Sequence, residues 1–159
     1  MNHSNPLSHK TQTKHLLMKS ILKFSILSLF AAASLAVAAD FPKGSPKFND
    51  KLDAALAEAK TSNKPVIAVF SAVWCPPCQM MKKDVYPSEE IKAYQDKFVW
   101  VYIDTDIESN AKDAAKYKVS GIPHIQFISA DGKSLDSQIG ASSASEFAKT
   151  LDGVLKKAG

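Results

Sequence analysis

The two cysteines of the chain, Cys75 and Cys78, stand three positions apart in the stretch VWCPPCQMM (73–81), and this spacing constrains the fold more than any other feature. A short run of apolar and β-branched residues, VIAVFSA (66–72), comes directly before the motif and predicts a buried strand. The residues that come after the motif, QMMKKDVY (79–86), predict a helix. The sequence therefore predicts a pair of thiols at the junction between a strand and a helix.

Residues 1–39 predict a secretory signal peptide, because basic residues, an apolar run at 25–36 and small residues before Asp40 follow one another in that order. The apolar run is shorter than the roughly 20 residues of a membrane span, and an uncleaved membrane anchor is the alternative. Met18 would itself be a natural start for such a signal. We therefore expect a periplasmic or secreted protein, in a compartment where disulfides persist.

The positive charge of the chain lies in this leader. Four of the 20 basic residues fall within residues 1–39 and all 16 acidic residues follow them, which leaves 16 lysines against 16 acids. Residues 40–159 therefore have no formal net charge and no arginine, and they lack the excess of basic residues expected of a nucleic-acid-binding protein. Residues 40–47, with two prolines and a glycine, predict a linker, and residues 48–159 predict one domain.

Two cysteines at this spacing could form a structural disulfide, half of a metal site or a redox couple. A disulfide between residues so close in sequence closes a short loop and stabilises little. Zinc needs four ligands, but residues 40–159 hold one histidine, His124, which is itself expected at a loop or strand edge, and no second cysteine pair. A c-type haem needs a histidine where Gln79 stands. The pattern favours redox chemistry without a metal or other cofactor.

A sulfur at the N-terminus of a helix is favoured as a thiolate by the free N–H groups and the positive end of the helix dipole. We therefore expect Cys75 to be the nucleophile, and Cys78, one turn later, to attack a mixed disulfide formed on Cys75. Pro76 and Pro77 lack N–H groups, so fewer amides can point at the Cys75 sulfur. We infer that the Cys75 thiolate is less stabilised and that the cysteine pair therefore acts as a reductant of its partners.

The remaining patterns predict an α/β fold. The expected elements are an amphipathic helix from 48 to about 61, a helix at 89–97 after Ser88, a strand at 98–104, a helix at about 110–117, a hairpin at 125–139 around Asp131-Gly132, and a closing helix after a capping box of Ser143 and Glu146. Strands separated by helices predict a parallel pair, and the hairpin adds two antiparallel strands. We expect a mixed central sheet with helices on both faces.

Three stretches resemble the thioredoxin superfamily: AVFSAVWCPPC (68–78), GIP (121–123) and QIGA (138–141). Members of that family carry W-C-x-x-C after a buried strand, a cis-proline loop that faces the disulfide, and a glycine near the end of the last strand. The resemblance covers about 48–157 and implies a thioredoxin-like fold. It implies that Cys75 and Cys78 are catalytic, and that the substrate-binding residues are Trp74, Pro76, Pro77, Ile122, a cis Pro123 and Gly140.

Two positions depart from cytosolic thioredoxins, which carry a buried aspartate and a partner lysine where Val69 and Trp100 stand here. The leader and the PSEEI segment (87–91) are more similar to exported thioredoxin-like proteins. We therefore expect an exported thiol:disulfide oxidoreductase that reduces disulfide-containing proteins and receives electrons from a membrane thiol protein. The alternatives are a disulfide oxidant or isomerase of secreted proteins, and a redox-inactive module that binds extended peptides.

Overall fold

The computed structural model describes residues 40–159, so the expected signal peptide at 1–39 lies outside the described residues. A π-helical segment at Met81–Val85 and a 3₁₀ turn at Glu108–Asn110 accompany the regular elements of this part. The strands are β1 (Phe48–Asn49), β2 (Val66–Ser71), β3 (Val99–Asp104), β4 (His124–Ile128) and β5 (Ser134–Ile139). The α-helices are α1 (Leu52–Ser62), α2 (Pro76–Met80), α3 (Glu89–Gln95), α4 (Ala111–Lys116) and α5 (Ala144–Ala158).

The strands form one mixed sheet in the order β1-β3-β2-β4-β5. Strands β1 and β2 run parallel to β3, whereas β4 is antiparallel to β2 and β5 is antiparallel to β4. The turn between β4 and β5 contains Gly132 at φ +87°, a left-handed conformation that glycine adopts without strain. The predicted parallel pair and hairpin are confirmed.

Helices cover both faces of the sheet, as the sequence predicts. On one face, Val69 and Trp100 pack with residues of α3, α5 and the π-helical segment, such as Phe147 of α5. On the other face, Phe70 and its neighbours pack against α1, and α4 and the residue after it, Tyr117, lie at the edge of that cluster. Side chains alternate between the two faces along β2 because successive residues of a strand point in opposite directions.

The first predicted helix is wrong in its start. Phe48 and Asn49 form β1, which pairs in parallel with Trp100 and Val101 of β3, and the helix begins only at Leu52. Phe48 lies among other aromatic rings, with centroids 5.7 Å from Trp100 and 4.2 Å from Phe41. Pairing of the backbone and packing of the ring therefore override the helical spacing of its apolar neighbours.

The segment 40–47, expected as a linker, lies against the domain. The Phe41 ring contacts Tyr102 edge-on at 5.1 Å, and the Lys82 ammonium lies 4.6 Å from its centroid. The Gly44 carbonyl accepts a hydrogen bond from Gln95 Nε2 at 2.7 Å. These contacts attach the segment to β3, to the π-helical segment and to α3.

Two helices differ in detail from the sequence expectation. The helix after the cysteines begins as α2 and widens into the π-helical segment, where the Tyr86 amide donates to the Met81 carbonyl at 3.0 Å. Ser88 precedes α3 as predicted, but its side chain makes no capping hydrogen bond. The capping box of Ser143 and Glu146 is confirmed at the start of α5. None of the helices in residues 40–159 combines the length and apolar character that crossing a membrane requires.

Candidate active site

Cys75 and Cys78 form a disulfide at the junction between β2 and α2. Their sulfurs are 2.01 Å apart and their Cα atoms 5.3 Å apart. Each cysteine is only 2% exposed, and Ala72 and the half-buried Ile122 pack against the pair. The chain therefore places both sulfurs at the carboxyl end of a central strand, where the first helical turn begins.

The backbone around the disulfide supplies one hydrogen bond to sulfur. The Cys78 amide donates to Cys75 Sγ at 3.3 Å, with Cys75 at the N-cap position of α2. Pro76 and Pro77 occupy the first two helical positions, where they are exposed and have no N–H to offer. The Cys75 amide points the other way and donates to the Ala72 carbonyl at 3.3 Å. The Cys75 sulfur thus receives fewer amide donors than a helix start without prolines could provide.

The loop before β4 lies beside the disulfide. The Ile122–Pro123 peptide is cis, and Ile122 contacts the cluster formed by Ala72 and the two cysteines. The Pro123 carbonyl accepts a hydrogen bond from the Gly140 amide at 2.8 Å. Gly140 has φ +90°, a conformation that other residues rarely adopt, so it closes this corner of the sheet at the end of β5. The structure therefore brings Ile122, Pro123 and Gly140 together next to the motif.

Trp74 is held on the surface next to the cysteines. Its side chain is 65% exposed, and its Nε1–H donates to Asp106 Oδ2 at 2.8 Å. The Asp106 amide in turn donates to Asp104 Oδ1 at 2.9 Å, which fixes this acidic turn after β3. An exposed indole with a fixed edge is a rigid apolar surface that a partner protein could bind.

Sequence patterns did not indicate two residues of this region, one beside Trp74 and one beside the loop before β4. Asp106 carries no motif of its own, and its role follows only from the fold, which brings the turn after β3 to Trp74. Ile139, at the end of β5, is exposed, and its side chain lies 3.9 Å from the position that a Cβ on Gly121 would take. The alternation of β5 could have indicated an exposed residue there, but not its proximity to the loop before β4.

His124 stands where the loop passes into a strand, as expected. It begins β4, which lies between β2 and β5, and it is buried with its ring edge-on to Phe70 at 5.9 Å. Its Nε2 lies 3.5 Å from Gln126 Oε1, while Nδ1 has no hydrogen-bond partner among residues 40–159. Within the same residues, no three or more His, Cys, Asp or Glu side chains group as metal ligands.

The two positions that depart from the aspartate–lysine pair of cytosolic thioredoxins are buried as well as apolar. Val69 and Trp100 both belong to the core on the α5 face. A polar group lies farther along the same two strands, where the hydroxyls of Ser71 and Tyr102 are 2.5 Å apart. Burial is the largest effect on the pKa of Tyr102 and raises it. Side-chain hydrogen bonding to Ser71 lowers the pKa, the charge of Asp104 raises it, and side-chain hydrogen bonding to Gln79 lowers it. The net result is a raised pKa. The tyrosine is therefore a neutral hydroxyl near neutral pH.

Comparison with known proteins identifies relatives of this arrangement. A family model described as a thioredoxin-like domain matches residues 52–155. The chloroplastic thioredoxin-like protein HCF164 of Arabidopsis thaliana is 31% identical over 83 residues, which cover 52% of this chain and 31% of that protein. The chain thus matches about a third of the length of that relative.

Two further comparisons cover most of the matched protein. Thioredoxin 1 of Synechococcus elongatus is 35% identical over 95 residues, which cover 60% of this chain and 84% of that protein. The solution structure of a thioredoxin from Thermus thermophilus superposes with a TM-score of 0.65 at 26% identity, covering 72% of this chain and 91% of that chain. The mixed sheet and its helices are thus shared with solved structures of that fold.

Proposed function

Because the chain belongs to the thioredoxin-like domain family, we propose that it is a thiol:disulfide oxidoreductase that reduces disulfide-containing proteins outside the cytoplasm. The observation that carries this proposal is the Cys75–Cys78 disulfide at the start of α2. A sulfur at this place meets the amide of the next helical turn, which favours its thiolate. Relatives named as thioredoxins support the same activity.

The reaction takes two thiol–disulfide exchanges. In the reduced protein, the Cys75 thiolate attacks one sulfur of a target disulfide, so that a Cys75–target bond forms and the other target sulfur leaves and takes up a proton. The Cys78 thiolate then attacks Cys75 Sγ, forms the intramolecular disulfide and releases the second target sulfur as a thiol. The target gains two electrons and two protons, and the cysteine pair becomes oxidised. The chemistry uses no group beyond the two cysteines.

The residues around the disulfide suit an extended protein segment. Trp74, Pro76 and Pro77 of the motif are exposed, and Ile122 is half-buried against the two cysteines. Pro123 is buried, and its carbonyl accepts the Gly140 amide. We assign these six residues to substrate binding. A target backbone that lies along the loop at Ile122–Pro123 would bring its disulfide to the Cys75 sulfur.

The two prolines favour electron flow toward the target. A strong oxidant stabilises its reduced thiolate, whereas Cys75 Sγ receives one backbone amide, from Cys78. We expect a reduction potential nearer to that of thioredoxin, about −270 mV, than to that of a strong oxidant, about −120 mV. Equilibration with glutathione buffers measures it, and a value near the oxidant limit would instead identify an oxidase or isomerase of secreted proteins.

Reduction of insulin by dithiothreitol tests the activity. The wild-type protein should accelerate the precipitation of the insulin B chain, and Cys75→Ser should return the rate to that of dithiothreitol alone. A wild-type protein that gives no acceleration, with Cys75 alkylated at neutral pH no faster than free cysteine, would refute the proposal. Full biological activity in Cys75→Ser would favour a peptide-binding module.

Trapping with Cys78→Ser identifies the target. Without the resolving thiol, a mixed disulfide on Cys75 should persist, and mass spectrometry of the adduct identifies the protein attached. We propose that the donor is a membrane thiol protein, because an oxidising compartment does not re-reduce the pair. In membrane extracts the same variant should trap the oxidised form of this donor, because the Cys75 thiolate can attack the donor's disulfide.

The export of the chain is part of the proposal. We expect the leader at 1–39 to be removed, so that the mature chain begins near Asp40, continues through the segment 40–47 and ends with the domain at 48–159. The mass of the protein recovered from a periplasmic extract measures the cleavage site. A full-length mass in the membrane fraction would indicate an anchor in its place.

A further inference from the structure

Gln79 comes directly after Cys78 in α2 and makes contacts to both ends of the motif. Its side-chain Nε2 donates to the Ala72 carbonyl at 3.1 Å, at the end of β2. The Cys75 amide donates to the same carbonyl at 3.3 Å, and the Gln79 amide donates to the Cys75 carbonyl at 3.0 Å. The residue therefore ties the first turn of α2 to the strand that precedes it.

The end of β2, which Gln79 contacts, is itself held by hydrogen bonds to β3 and to the residue after β3. Ser71, which precedes Ala72, is completely buried, and its hydroxyl lies 2.5 Å from that of Tyr102. The Ser71 carbonyl accepts hydrogen bonds from the Thr105 amide at 2.9 Å and from Thr105 Oγ1 at 3.2 Å. The Ala72 carbonyl is thus an anchored acceptor, and a side chain that bonds to it gains a defined position.

We propose that Gln79 is a positioning residue for the redox pair: it holds the turn that carries Cys78 against Cys75 and so raises the effective concentration of the Cys78 thiol in ring closure. The inference rests on the function proposed above and adds to it a specific residue. In ring closure the Cys78 thiolate attacks Cys75 Sγ, the bond from Cys75 to the target sulfur breaks, and that sulfur leaves and is protonated. Two groups held in a reactive geometry react faster than groups that are free to move apart.

The two steps of the reaction depend on different features of the site. The attack of Cys75 on an external disulfide depends on the thiolate and on access, which the Gln79 side chain does not change. Ring closure depends on how often Cys78 meets the Cys75 sulfur, which loss of the side-chain hydrogen bond reduces. The intramolecular disulfide should become easier to open for the same reason, so the reduction potential should become less negative.

The test compares Gln79→Met with the matched control Gln95→Met. Gln95 in α3 also donates from Nε2 to a backbone carbonyl of another segment, that of Gly44 at 2.7 Å, but it contacts neither cysteine. Mixing reduced protein with dithiobis(nitrobenzoate) releases one coloured thiol when Cys75 attacks and a second when Cys78 closes the ring. Stopped-flow absorbance records both phases, and equilibration with glutathione gives the potential.

Gln79→Met should slow the second phase about fivefold, the size expected for one lost hydrogen bond, and leave the first within about twofold. The potential should rise by about 20 mV, which is the same fivefold change for a two-electron couple. Tyr102→Phe, which removes the hydroxyl that contacts Ser71, should act in the same direction and provides a second variant if Gln79→Met folds poorly. Gln95→Met should match the wild type in both phases and in potential.

Two results would overturn the inference. In the first, Gln79→Met and Tyr102→Phe have the same rates of both phases and the same potential as Gln95→Met. In the second, Gln79→Met slows both phases by the same factor. The potential can be measured whether or not the protein reduces insulin. Failure of the proposed function therefore appears in the wild-type insulin assay, and failure of the inference appears in the comparison of variants.

Discussion

The amide of Cys78 is the backbone donor that reaches the Cys75 sulfur, at 3.3 Å, because the two residues between the cysteines are prolines. A difference of one or two amides at a sulfur changes the balance between thiol and thiolate, since each donor stabilises the charged form. On the other side of the motif, Trp74 is fixed by a single hydrogen bond to Asp106. At the scale of residues, the chemistry thus depends on which N–H groups surround the sulfur and on what holds the exposed indole.

Trp74→Ala should lower kcat/KM for insulin about tenfold, the effect expected when a well-packed aromatic contact of a partner surface is lost. The rate with dithiobis(nitrobenzoate), which is too small to need the indole, should stay within about twofold. Asp106→Ala keeps the indole but removes the hydrogen bond that fixes its edge. Its kcat/KM for insulin should lie between the values of Trp74→Ala and the wild type. Equal losses with both substrates would show that Trp74 affects the thiol and not the docking of the target.

Tyr86 provides a prediction on stability and pH. Its ring is fully buried, and its hydroxyl has no hydrogen-bond partner within residues 40–159. Removing a buried, unpaired hydroxyl should help, so Tyr86→Phe should raise the free energy of unfolding by about 1 kcal/mol. Burial, and then the charge of Tyr102, raise the pKa of Tyr86 above its ordinary value of 10.0.

Because the folded-state pKa of Tyr86 lies above the unfolded one, the unfolded chain ionises first, and the free energy of unfolding falls as pH rises above the unfolded pKa. The wild type should therefore lose stability above about pH 10 more steeply than Tyr86→Phe. Urea titrations from pH 7 to 11 measure both effects. Tyr94→Phe is the control, because the Tyr94 hydroxyl is hydrogen-bonded and donates to Asp152 at 2.9 Å. This variant should not raise the free energy of unfolding.

The elements around the site are short, and the way each one joins the next positions the chemistry. Strand β2 ends at Ser71, and α2 begins at Pro76, so only four residues separate a buried sheet from the helix with the disulfide. The π-helical segment continues α2 over the core, where Met81 is buried and its sulfur accepts the Ser142 amide at 3.4 Å. The helix of the motif is thereby attached to the loop that precedes α5.

The capping box of α5 gives a prediction at this scale. Ser143→Ala should lower the free energy of unfolding by about 1 kcal/mol at pH 7, because the side chain that accepts the Glu146 amide is lost. Ser120→Ala, at an exposed position outside the helices, should change it by less than about 0.5 kcal/mol. A cost for Ser143→Ala no larger than that of Ser120→Ala would contradict the assignment.

The same cap should respond to pH. Hydrogen bonds from the Ser143 side chain and then from its backbone N–H lower the pKa of Glu146 from its ordinary 4.5. Because the folded-state pKa is the lower one, the carboxylate contributes stability that is complete above the unfolded pKa and is lost as pH falls. The difference between the wild type and Ser143→Ala should therefore shrink below about pH 4, in urea titrations at a series of pH values. A constant difference would show that Glu146 takes no part.

At the scale of the whole domain, the segment 40–47 completes an aromatic cluster on the sheet. Phe41 stacks on Phe48 at 4.2 Å, and both rings contact Tyr102, at 5.1 and 5.9 Å. This cluster joins the first described residues to β1, to β3 and, through Lys82, to the helix of the motif. Tyr102 also contacts Ser71, the last residue of β2 before the motif. The aromatic cluster is therefore connected through Tyr102 to the end of the strand that precedes the cysteines.

Phe41→Ala tests this contribution. The ring is half-buried, so its loss should lower the free energy of unfolding by about 2 kcal/mol, less than the 3–5 kcal/mol typical of a fully buried phenylalanine. Lys43→Ala, an exposed change in the same segment, is the matched control and should cost less than about 0.5 kcal/mol. Equal stability of the two variants in urea would show that the segment does not stabilise the domain.

Local patterns were enough for much of this fold. The apolar run at 66–72 predicted β2, the Asp131-Gly132 pair predicted the hairpin of β4 and β5, and Ser143 with Glu146 predicted the start of α5. The dithiol could be found because its chemistry requires two cysteines one helical turn apart. Each of these signals comes from residues that are neighbours in sequence, and short-range backbone preferences and hydrogen bonds determine them.

Signals between neighbouring residues are therefore sufficient for the dithiol, for its position between a strand and a helix, and for the order of most elements. Contacts between distant segments establish that Phe48 extends the sheet and that Asp106 holds Trp74, and the folded turn establishes that Gln79 shares a carbonyl with Cys75. These contacts depend on strand register, on burial and on which side chains remain free once the core has formed. A carbonyl or carboxylate finds its partner after packing has fixed the distance between them, and periodicity along the chain carries no record of that distance.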